Sequence, residues 1–230
     1  MAVTTRAVCI TGAGGGIGRA GAMALARRGY RLGLFDRDAE MLEQTRGLCE
    51  RLTEVATVQG DVSIRSDVVE GIGALAMAIG PFTDLVASAG IARYGPFETL
   101  DAADWSAPFV VNVVGVVNAI SAVLPSMLAT DAGLIVAVGS RRGLEPKATT
   151  SAYSASKAGV HALIRSLQLE HASSRVSFSY LAPGGTQTGL GSPKDPRFMN
   201  PETVGDAIAF MCDAYPAGWV RQLEILPVGL

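Results

Sequence analysis

The 230-residue chain has few of the residues from which metal centres and disulfide frameworks are built, with only three cysteines and two histidines. Cys9, Cys49 and Cys212 are scattered without paired spacing, so they resemble neither a disulfide framework nor a metal site. We expect all three to be reduced and buried. His161 and His171 do not form a local metal pair. No bound metal is therefore expected.

Charge is also scarce, because charged residues make up 17% of the chain and the net charge is −2. There is no strongly basic segment to neutralise nucleic-acid phosphates, so a nucleic-acid partner has no electrostatic support. An anionic ligand must instead be held by local contacts.

Long apolar runs are missing too. The apolar residues at the N-terminus are too few for a signal peptide, and no uninterrupted apolar run of membrane-spanning length follows. A hydrophobic content of 49% and a mean hydropathy of +0.31 nevertheless indicate extensive burial. We expect a cytoplasmic protein, without a membrane partner, that forms one domain over residues 1–230.

Short β-branched runs alternate with helix-like segments along the whole chain. This alternation predicts an α/β fold of the Rossmann type, a doubly wound parallel seven-stranded sheet with helices on both faces. A Gly- and Pro-rich loop at 184–200 follows the sixth strand and is a candidate cover for the site. The predicted strands are 7–11, 31–35, 57–60, 84–87, 134–138, 176–181 and 222–226, and the predicted helices are 17–28, 39–52, 66–79, about 105–130, 152–172 and 201–212.

A glycine-rich turn follows the first predicted strand and opens the first helix. Gly12 can make the sharp exit from the strand, Gly16 lets a pyrophosphate approach the backbone, and Gly18 permits close packing of the helix on the strand. An ordinary flexible loop is the alternative, but the position between strand and helix favours nucleotide binding. The candidate cofactor-binding residues of this turn are Thr11, Gly12, Gly14, Gly16, Ile17 and Gly18.

Asp36 ends the second predicted strand, near the offset at which a carboxylate accepts hydrogen bonds from an adenosine ribose. It would repel the 2′-phosphate of NADP by ~1 kcal/mol in water and by ~4 kcal/mol when partly buried, so NAD is the preferred cofactor. Arg37 could bind that phosphate, which keeps NADP as the alternative. Asp61 and Val62 end the third strand and could bond the adenine. A strand-end carboxylate or helix cap is an equally good interpretation of Asp61.

Tyr153 and Lys157 are one turn apart on a predicted helix. Residues at this spacing lie about 40° apart around the axis and about 6 Å apart along it, so a phenol and an ammonium share one face. A nearby cation favours ionisation of a tyrosine, whose ordinary pKa is near ~10. The pair also occurs by chance on amphipathic helices, but Ser140 follows a buried strand and precedes Tyr153 by thirteen residues. A loop or cap hydroxyl is the alternative for Ser140, and its position favours a catalytic role.

The combined pattern resembles the short-chain dehydrogenase/reductase family over essentially the whole chain. The matching features, in family order, are Thr11-Gly-x-x-x-Gly-x-Gly18, Asp61, Asn112, Ser140, Tyr153, Lys157 and Pro183-Gly184. The resemblance implies hydride exchange between NAD(H) and a secondary alcohol or ketone.

The same resemblance implies a tetrad of four catalytic residues. Tyr153 would transfer the proton, Ser140 would stabilise the substrate oxygen, and Lys157 would lower the pKa of Tyr153 and bond the nicotinamide ribose. Asn112 would hold a water that links Lys157 to solvent, although an asparagine there could instead bond its own backbone. The remaining implied cofactor contacts are Ala89, Gly90, Pro183, Gly184, Thr186 and Thr188, and the implied assembly is a homodimer or homotetramer.

Three features depart from the family pattern. Ala87-Ser88-Ala89-Gly90 replaces Asn-Asn-Ala-Gly, with Ser88 able to keep some of the hydrogen bonding. The cover after Thr188 is short, roughly a dozen residues, which suggests an open cleft or one completed by a neighbouring subunit. The chain ends in Leu-Pro-Val-Gly-Leu230 in place of Asp-Gly-Gly, which puts an interface there in doubt. Two alternatives to an oxidoreductase are a non-catalytic dinucleotide-binding regulator and an isomerase or dehydratase that retains its cofactor.

Three arginines follow predicted strands and could place positive charge at the mouth of the pocket. They are Arg93, Arg141 and Arg142. One hypothesis is a substrate that carries a carboxylate or phosphate, and the alternatives are surface salt bridges or subunit contacts.

Overall fold

A computed structural model describes residues 6–190 and 195–229, which contain a seven-stranded parallel sheet in the order β3-β2-β1-β4-β5-β6-β7. This arrangement confirms the predicted Rossmann-type fold. The strands are β1 Ala7–Thr11, β2 Arg31–Asp36, β3 Val55–Gln59, β4 Asp84–Ala87, β5 Gly133–Val138, β6 Val176–Pro183 and β7 Gln222–Ile225. The α-helices are α1 Gly16–Ala26, α2 Ala39–Cys49, α3 Arg65–Ile79, α4 Ala102–Pro108, α5 Gly115–Ala129, α6 Ser151–Glu170 and α7 Pro201–Ala214.

Two strand boundaries differ from the sequence prediction by two residues, and the other strand ends agree with it within one residue. The third strand was predicted at 57–60, but it begins at Val55, which lies opposite Leu32 of β2 and extends the parallel ladder. The sixth strand was predicted to end at 181 and continues to Pro183, which lies opposite Ile225 of β7. Proline is accepted there because a strand end needs no further donor from that residue.

The predicted helix at about 105–130 is broken into three segments. A π-helix, Phe109–Val114, separates α4 from α5, and it follows Pro108, which has no backbone N–H to continue the α-helical ladder. The π-segment contains the buried Asn112. Single-turn π-segments often occur at functional sites, where they redirect a side chain.

Side chains of the strands alternate between two apolar cores. Val8 and Ile10 of β1 pack in the core formed with α1, α2 and α7. Cys9, between them, belongs to the core formed with α3, α5 and α6. Burial on both faces explains the near-continuous apolar strand sequences. The three cysteines are free and buried, as predicted.

The helical stretch over residues 102–129 is long and apolar enough to cross a membrane, by length and composition alone. Core helices of soluble proteins pass the same test, and 44% of the most apolar window is buried in the fold. The polar Asn118 in this stretch is buried, and its side chain donates to the Val62 carbonyl at 2.9 Å. The segment is therefore partly packed into the core.

The strand order reverses beside β1, where chain connections leave in opposite directions. Thr11 and Ala87, the last residues of β1 and β4, lie opposite each other in the sheet. Ligands of doubly wound sheets bind in the crevice that opens at this point. In the described residues, no group of three or more His, Cys, Asp or Glu side chains is placed to hold a metal ion.

Candidate active site

The glycine-rich turn has the close backbone approaches that its sequence predicts. Gly12 and Gly16 have φ angles of +70° and +47°, which glycine adopts without strain. A Cβ on Gly18 would lie 1.9 Å from the Gly12 carbonyl oxygen, and one on Gly12 would lie 2.6 Å from the Ala89 backbone. The turn is therefore a cradle that side chains would fill, and it fits a pyrophosphate at the N-terminus of α1.

Asp36 is directed at this turn. Its Oδ2 accepts a hydrogen bond from the Gly14 backbone N–H at 2.8 Å, and its Oδ1 accepts one from the Asp38 backbone N–H at 3.0 Å. A pocket of about 100 Å³ adjoins it. Among the residues that line this pocket are Gly12, Asp36, Arg37, Asp61, Val62 and Gly90. Six predicted cofactor residues thus surround one small pocket beside the turn.

Asp61 lies in the turn after β3 and lines this pocket. Its Oδ1 accepts hydrogen bonds from the Ser63 hydroxyl at 2.6 Å and the Ser63 backbone N–H at 2.8 Å, so it stabilises the turn after β3. Hydrogen bonding from the Ser63 hydroxyl is the main cause that holds the pKa of Asp61 below its ordinary value. Asp61 is thus an ionised strand-end carboxylate and also part of the pocket wall.

Tyr153 and Lys157 lie one turn apart near the start of α6, and both are buried. The Lys157 Nζ donates to the carbonyl of Val138, the last residue of β5, at 2.9 Å. Ser140 follows two residues later, so the lysine contacts the strand that presents the serine. This places the three predicted catalytic residues at the junction of β5 and α6.

Burial dominates the ionisation of this group. It raises the pKa of Tyr153, while the Ser140 hydroxyl, by hydrogen bonding, and the Arg142 charge act in the opposite direction. Burial also lowers the pKa of Lys157 to about 8. The predicted lowering of the tyrosine pKa is therefore wrong in direction, because removal of the phenolate from water outweighs the charges around it.

Ser140 is held by its surroundings on two sides. Its Oγ accepts from the Arg142 backbone N–H at 3.1 Å, which leaves the hydroxyl proton for another acceptor. The buried Tyr180 hydroxyl accepts from the Ser140 backbone N–H and donates to the Ser140 carbonyl, both at 3.1 Å. Tyr180 thus fixes the peptide groups on either side of the serine Cα.

Tyr180 is a site residue that the sequence reasoning missed. A Cβ on Gly139 would lie 2.0 Å from the Tyr180 ring, so the large side chain occupies the space that the glycine leaves open. A glycine directly before Ser140 and a tyrosine in the strand beside it were the available signals. Their pairing depends on the β5–β6 register, which sequence alone does not specify.

Asn112 joins the segment after β4 to α6. Its side-chain oxygen accepts from the Ile91 backbone N–H at 2.8 Å, and its amide donates to the Ile91 carbonyl and to Ser156 Oγ, both at 2.9 Å. A Cβ on Gly90 would lie 3.1 Å from Asn112 Oδ1 and 3.4 Å from Lys157 Nζ. Asn112 and Lys157 therefore converge on the backbone of Gly90. The asparagine bonds a distant backbone segment and not its own.

The segment after β6 borders the other side of the crevice. Thr188 lies against Gly16, because a Cβ added to that glycine would be 3.0 Å from the Thr188 Cβ. Thr186 donates through Oγ1 to the Gly184 carbonyl at 3.0 Å and pairs by its backbone with Met199. The predicted cover at 184–200 includes residues 191–194, which lie outside the described residues.

A cavity of about 640 Å³ brings two of the predicted catalytic residues together with several of the predicted cofactor residues. The predicted residues in its wall are Ile17, Ser140, Tyr153, Pro183, Gly184, Thr186 and Thr188. Pro227, from the atypical C-terminal segment, also lines it. Ser88 lies outside this wall, and its backbone N–H donates to the Thr11 carbonyl at 3.2 Å.

The three arginines singled out in the sequence have different partners. Arg93 forms a salt bridge with Asp104 at 3.6 Å, and Arg141 forms one with Glu145 at 2.8 Å. The Arg142 guanidinium donates to the Glu145 backbone carbonyl at 2.8 Å. Arg141 and Arg142 line the cavity, whereas Arg93 is not among its lining residues.

Comparisons with known proteins agree with this geometry. A family model described as short chain dehydrogenase matches residues 6–197. The chain is 34% identical over 224 residues to 2-(S)-hydroxypropyl-CoM dehydrogenase 3 of Xanthobacter autotrophicus, an alignment that covers 89% of this chain and 88% of that protein.

Solved structures show the same likeness. An alcohol dehydrogenase from the archaeon Thermococcus sibiricus, complexed with 5-hydroxy-NADP, is similar with a TM-score of 0.90 and 29% identity over 98% of each chain. Levodione reductase is similar with a TM-score of 0.88 and 27% identity, over 96% of this chain and 95% of that one. These relatives are dehydrogenases or reductases, and this chain is likewise an oxidoreductase. Its fold, its motifs and the family match over most of its length place it in the short-chain dehydrogenase family, to which it belongs.

Proposed function

We propose that this enzyme exchanges hydride between NAD(H) and a secondary alcohol or its ketone. The observation that carries the proposal is the joint presence of Ser140, Tyr153 and the nicotinamide-side residues Ile17, Pro183 and Thr188 in one cavity wall. A relative named for a 2-hydroxypropyl substrate, which contains a secondary alcohol, supports this substrate class.

The residues of the crevice fit a dinucleotide. The glycine cradle of Gly12, Gly16 and Gly18 would hold the pyrophosphate, and Asp36 would accept hydrogen bonds from the adenosine ribose. When bound, the nicotinamide supplies the hydride donor or acceptor. Asp36 favours NAD, since a carboxylate repels a 2′-phosphate, and the exposed Arg37 beside it is the residue through which NADP would be accepted.

Tyr153 and Ser140 divide the chemistry at the substrate oxygen. In ketone reduction Tyr153 would donate its proton to the oxygen as negative charge develops there, and in alcohol oxidation its phenolate would remove the hydroxyl proton. Ser140, whose Oγ already accepts from Arg142, would direct its own proton at the same oxygen and stabilise the charge. Because burial raises the pKa of Tyr153, we expect oxidation to accelerate as the pH rises and more of the phenolate forms.

Lys157 and Asn112 would support the tyrosine, the first by proton exchange and the second by positioning the backbone. A buried lysine with a pKa of about 8 gains and loses a proton near neutral pH, which suits it to exchange protons with the site while it bonds the nicotinamide ribose. Asn112 would hold the Gly90–Ile91 backbone in place beside that lysine.

We also propose a cytoplasmic homodimer or homotetramer. Four apolar side chains are exposed along the π-helix and α5, and exposed apolar groups of this kind are often covered by subunit interfaces. They are Phe109, Val110, Val114 and Val117. Light scattering coupled to size exclusion tests this, because Val114→Lys should shift the mass toward the monomer.

The test of function is a panel of secondary alcohols and ketones assayed at 340 nm with both cofactors. Net formation of NADH from an alcohol, or net consumption with a ketone, is expected. A conversion that leaves the cofactor balance unchanged would indicate an isomerase or dehydratase, and the absence of any turnover with either cofactor would contradict the proposal.

A further inference from the structure

The wall of the large cavity is strongly cationic. Four of its residues carry positive charge and one carries negative charge. The cations are Arg141, Arg142, Lys147 and Arg197, and the carboxylate is Asp195. The charged residues of the wall therefore have an excess of cations.

Two of the cations are neutralised by carboxylates within the chain. Arg141 pairs with Glu145 at 2.8 Å, and Arg197 pairs with Asp195 at 2.6 Å. The Arg142 guanidinium donates to the Glu145 backbone carbonyl, which carries no net charge. Within residues 6–190 and 195–229, no salt bridge involves Arg142 or Lys147. These two side chains therefore bring unneutralised positive charge to the cavity.

Arg142 is also close to the reacting groups. Its backbone N–H donates to Ser140 Oγ at 3.1 Å. The arginine is therefore bonded directly to the serine that is proposed to contact the substrate oxygen. Its charge acts to lower the pKa of Tyr153, against the effect of burial. The Arg142 charge thus acts on the Tyr153 hydroxyl, and Arg142 also lines the cavity.

The loop that bears Lys147 is hydrogen-bonded to a neighbouring segment. Thr149 has a φ angle of +62°, which a β-branched residue adopts only under constraint. Its carbonyl accepts from the Gly95 backbone N–H at 2.9 Å, which ties the loop to the segment that carries Tyr94. Lys147, Thr149 and Tyr94 all line the cavity, so the strain is located at its wall.

We propose that the substrate is an anionic secondary alcohol or ketone, whose carboxylate or phosphate group is bound by Arg142 with the support of Lys147. This proposal rests on the oxidoreductase function proposed above and specifies its substrate class. Arg142 supplies the planar donor pair that matches either oxyanion, and Lys147 adds a second charge.

The turnover test compares acids with their neutral counterparts in the presence of NADH. One pair is 4-oxopentanoate and its methyl ester, and a second is dihydroxyacetone phosphate and dihydroxyacetone. We expect kcat/KM to favour the anion in at least one pair by about ten- to a hundredfold, the value of a charge-assisted hydrogen bond. In Arg142→Ala the ratio should fall toward one, whereas Arg142→Lys should retain part of it and Arg51→Ala, at an exposed arginine of the α2 C-terminal turn, should leave it unchanged.

A binding measurement separates this proposal from the proposed function. Calorimetry on the slow Tyr153→Phe variant with NADH should give a dissociation constant at least tenfold lower for the anion of one pair, and Arg142→Ala in that background should remove the difference. Equal binding of anions and neutral compounds, or a loss of NADH affinity in Arg142→Ala in place of a loss of anion preference, overturns the substrate class. Anion preference in binding without turnover of any alcohol or ketone by the wild-type enzyme would refute the proposed alcohol–ketone reaction alone.

Discussion

Tyr180→Phe is a perturbation that separates the positioning of Ser140 from its chemistry. The substitution keeps the aromatic ring and removes only the hydroxyl, which bonds both backbone groups of Ser140 at 3.1 Å. Tyr180 is fully buried, so water has no ready access to replace the lost partner. A buried donor and a buried acceptor left unsatisfied cost about 1–3 kcal/mol each, which predicts a loss of about 2–6 kcal/mol in the free energy of unfolding.

The substitution should also have a catalytic consequence that is measured separately from the loss of stability. A small displacement of Ser140 weakens its contact with the substrate oxygen, so we expect kcat to fall about tenfold or more while the dissociation constant for NADH is unchanged. Urea unfolding and steady-state kinetics measure the two effects. Tyr30→Phe is the matched control, because it removes a buried tyrosine hydroxyl that bonds Arg6 and Asp213, away from the cavity, and should lower stability without lowering kcat. A Tyr180→Phe enzyme with wild-type kcat would refute the positioning role.

Three further changes test other parts of the structure. Asp36→Asn should raise the ratio of kcat/KM for NADP to that for NAD by about five- to several hundredfold, by removal of a repulsion of ~1–4 kcal/mol, and an unchanged ratio would exclude Asp36 from cofactor discrimination. Burial lowers the pKa of Lys157 from 10.5 to about 8, so its charged form opposes folding below pH 8 and this penalty disappears as the pH rises to 10.5. The wild-type protein should therefore gain about 3 kcal/mol relative to Lys157→Met over that window in urea titrations, and parallel curves would contradict the desolvation account. Arg6→Ala removes the ion-pair partner of the buried Asp84 and should lower the free energy of unfolding by about 3–5 kcal/mol. A loss below ~1 kcal/mol would show that this ion pair does not stabilise the fold.

The sheet was predictable because its strands are buried on both faces. Apolar runs such as the one in β5 predict strands from the local sequence alone. A glycine-rich turn between a strand and a helix is typical of nucleotide binding. Tyr153 and Lys157 could be paired because helical spacing alone places them on one face. These features depend on local sequence.

Features that depend on tertiary contacts were missed or wrong. The π-helix at Asn112 and the Tyr180–Gly139 packing require knowledge of which segments lie side by side. The direction of the Tyr153 pKa shift was wrong because spacing shows the nearby cation but not the depth of burial. Likewise, the sequence grouped three arginines, but their carboxylate partners distinguish Arg142 from Arg93 and Arg141.

The central claim is that Tyr153 transfers the proton at the substrate oxygen, and Tyr153→Phe tests it most directly. With the best alcohol or ketone from the panel, we predict a loss of about 10²- to 10⁴-fold in kcat/KM together with an unchanged dissociation constant for NADH by fluorescence titration. Substantial turnover in the phenylalanine variant would contradict the account, since the ring that lines the cavity would remain and only the transferable proton would be gone.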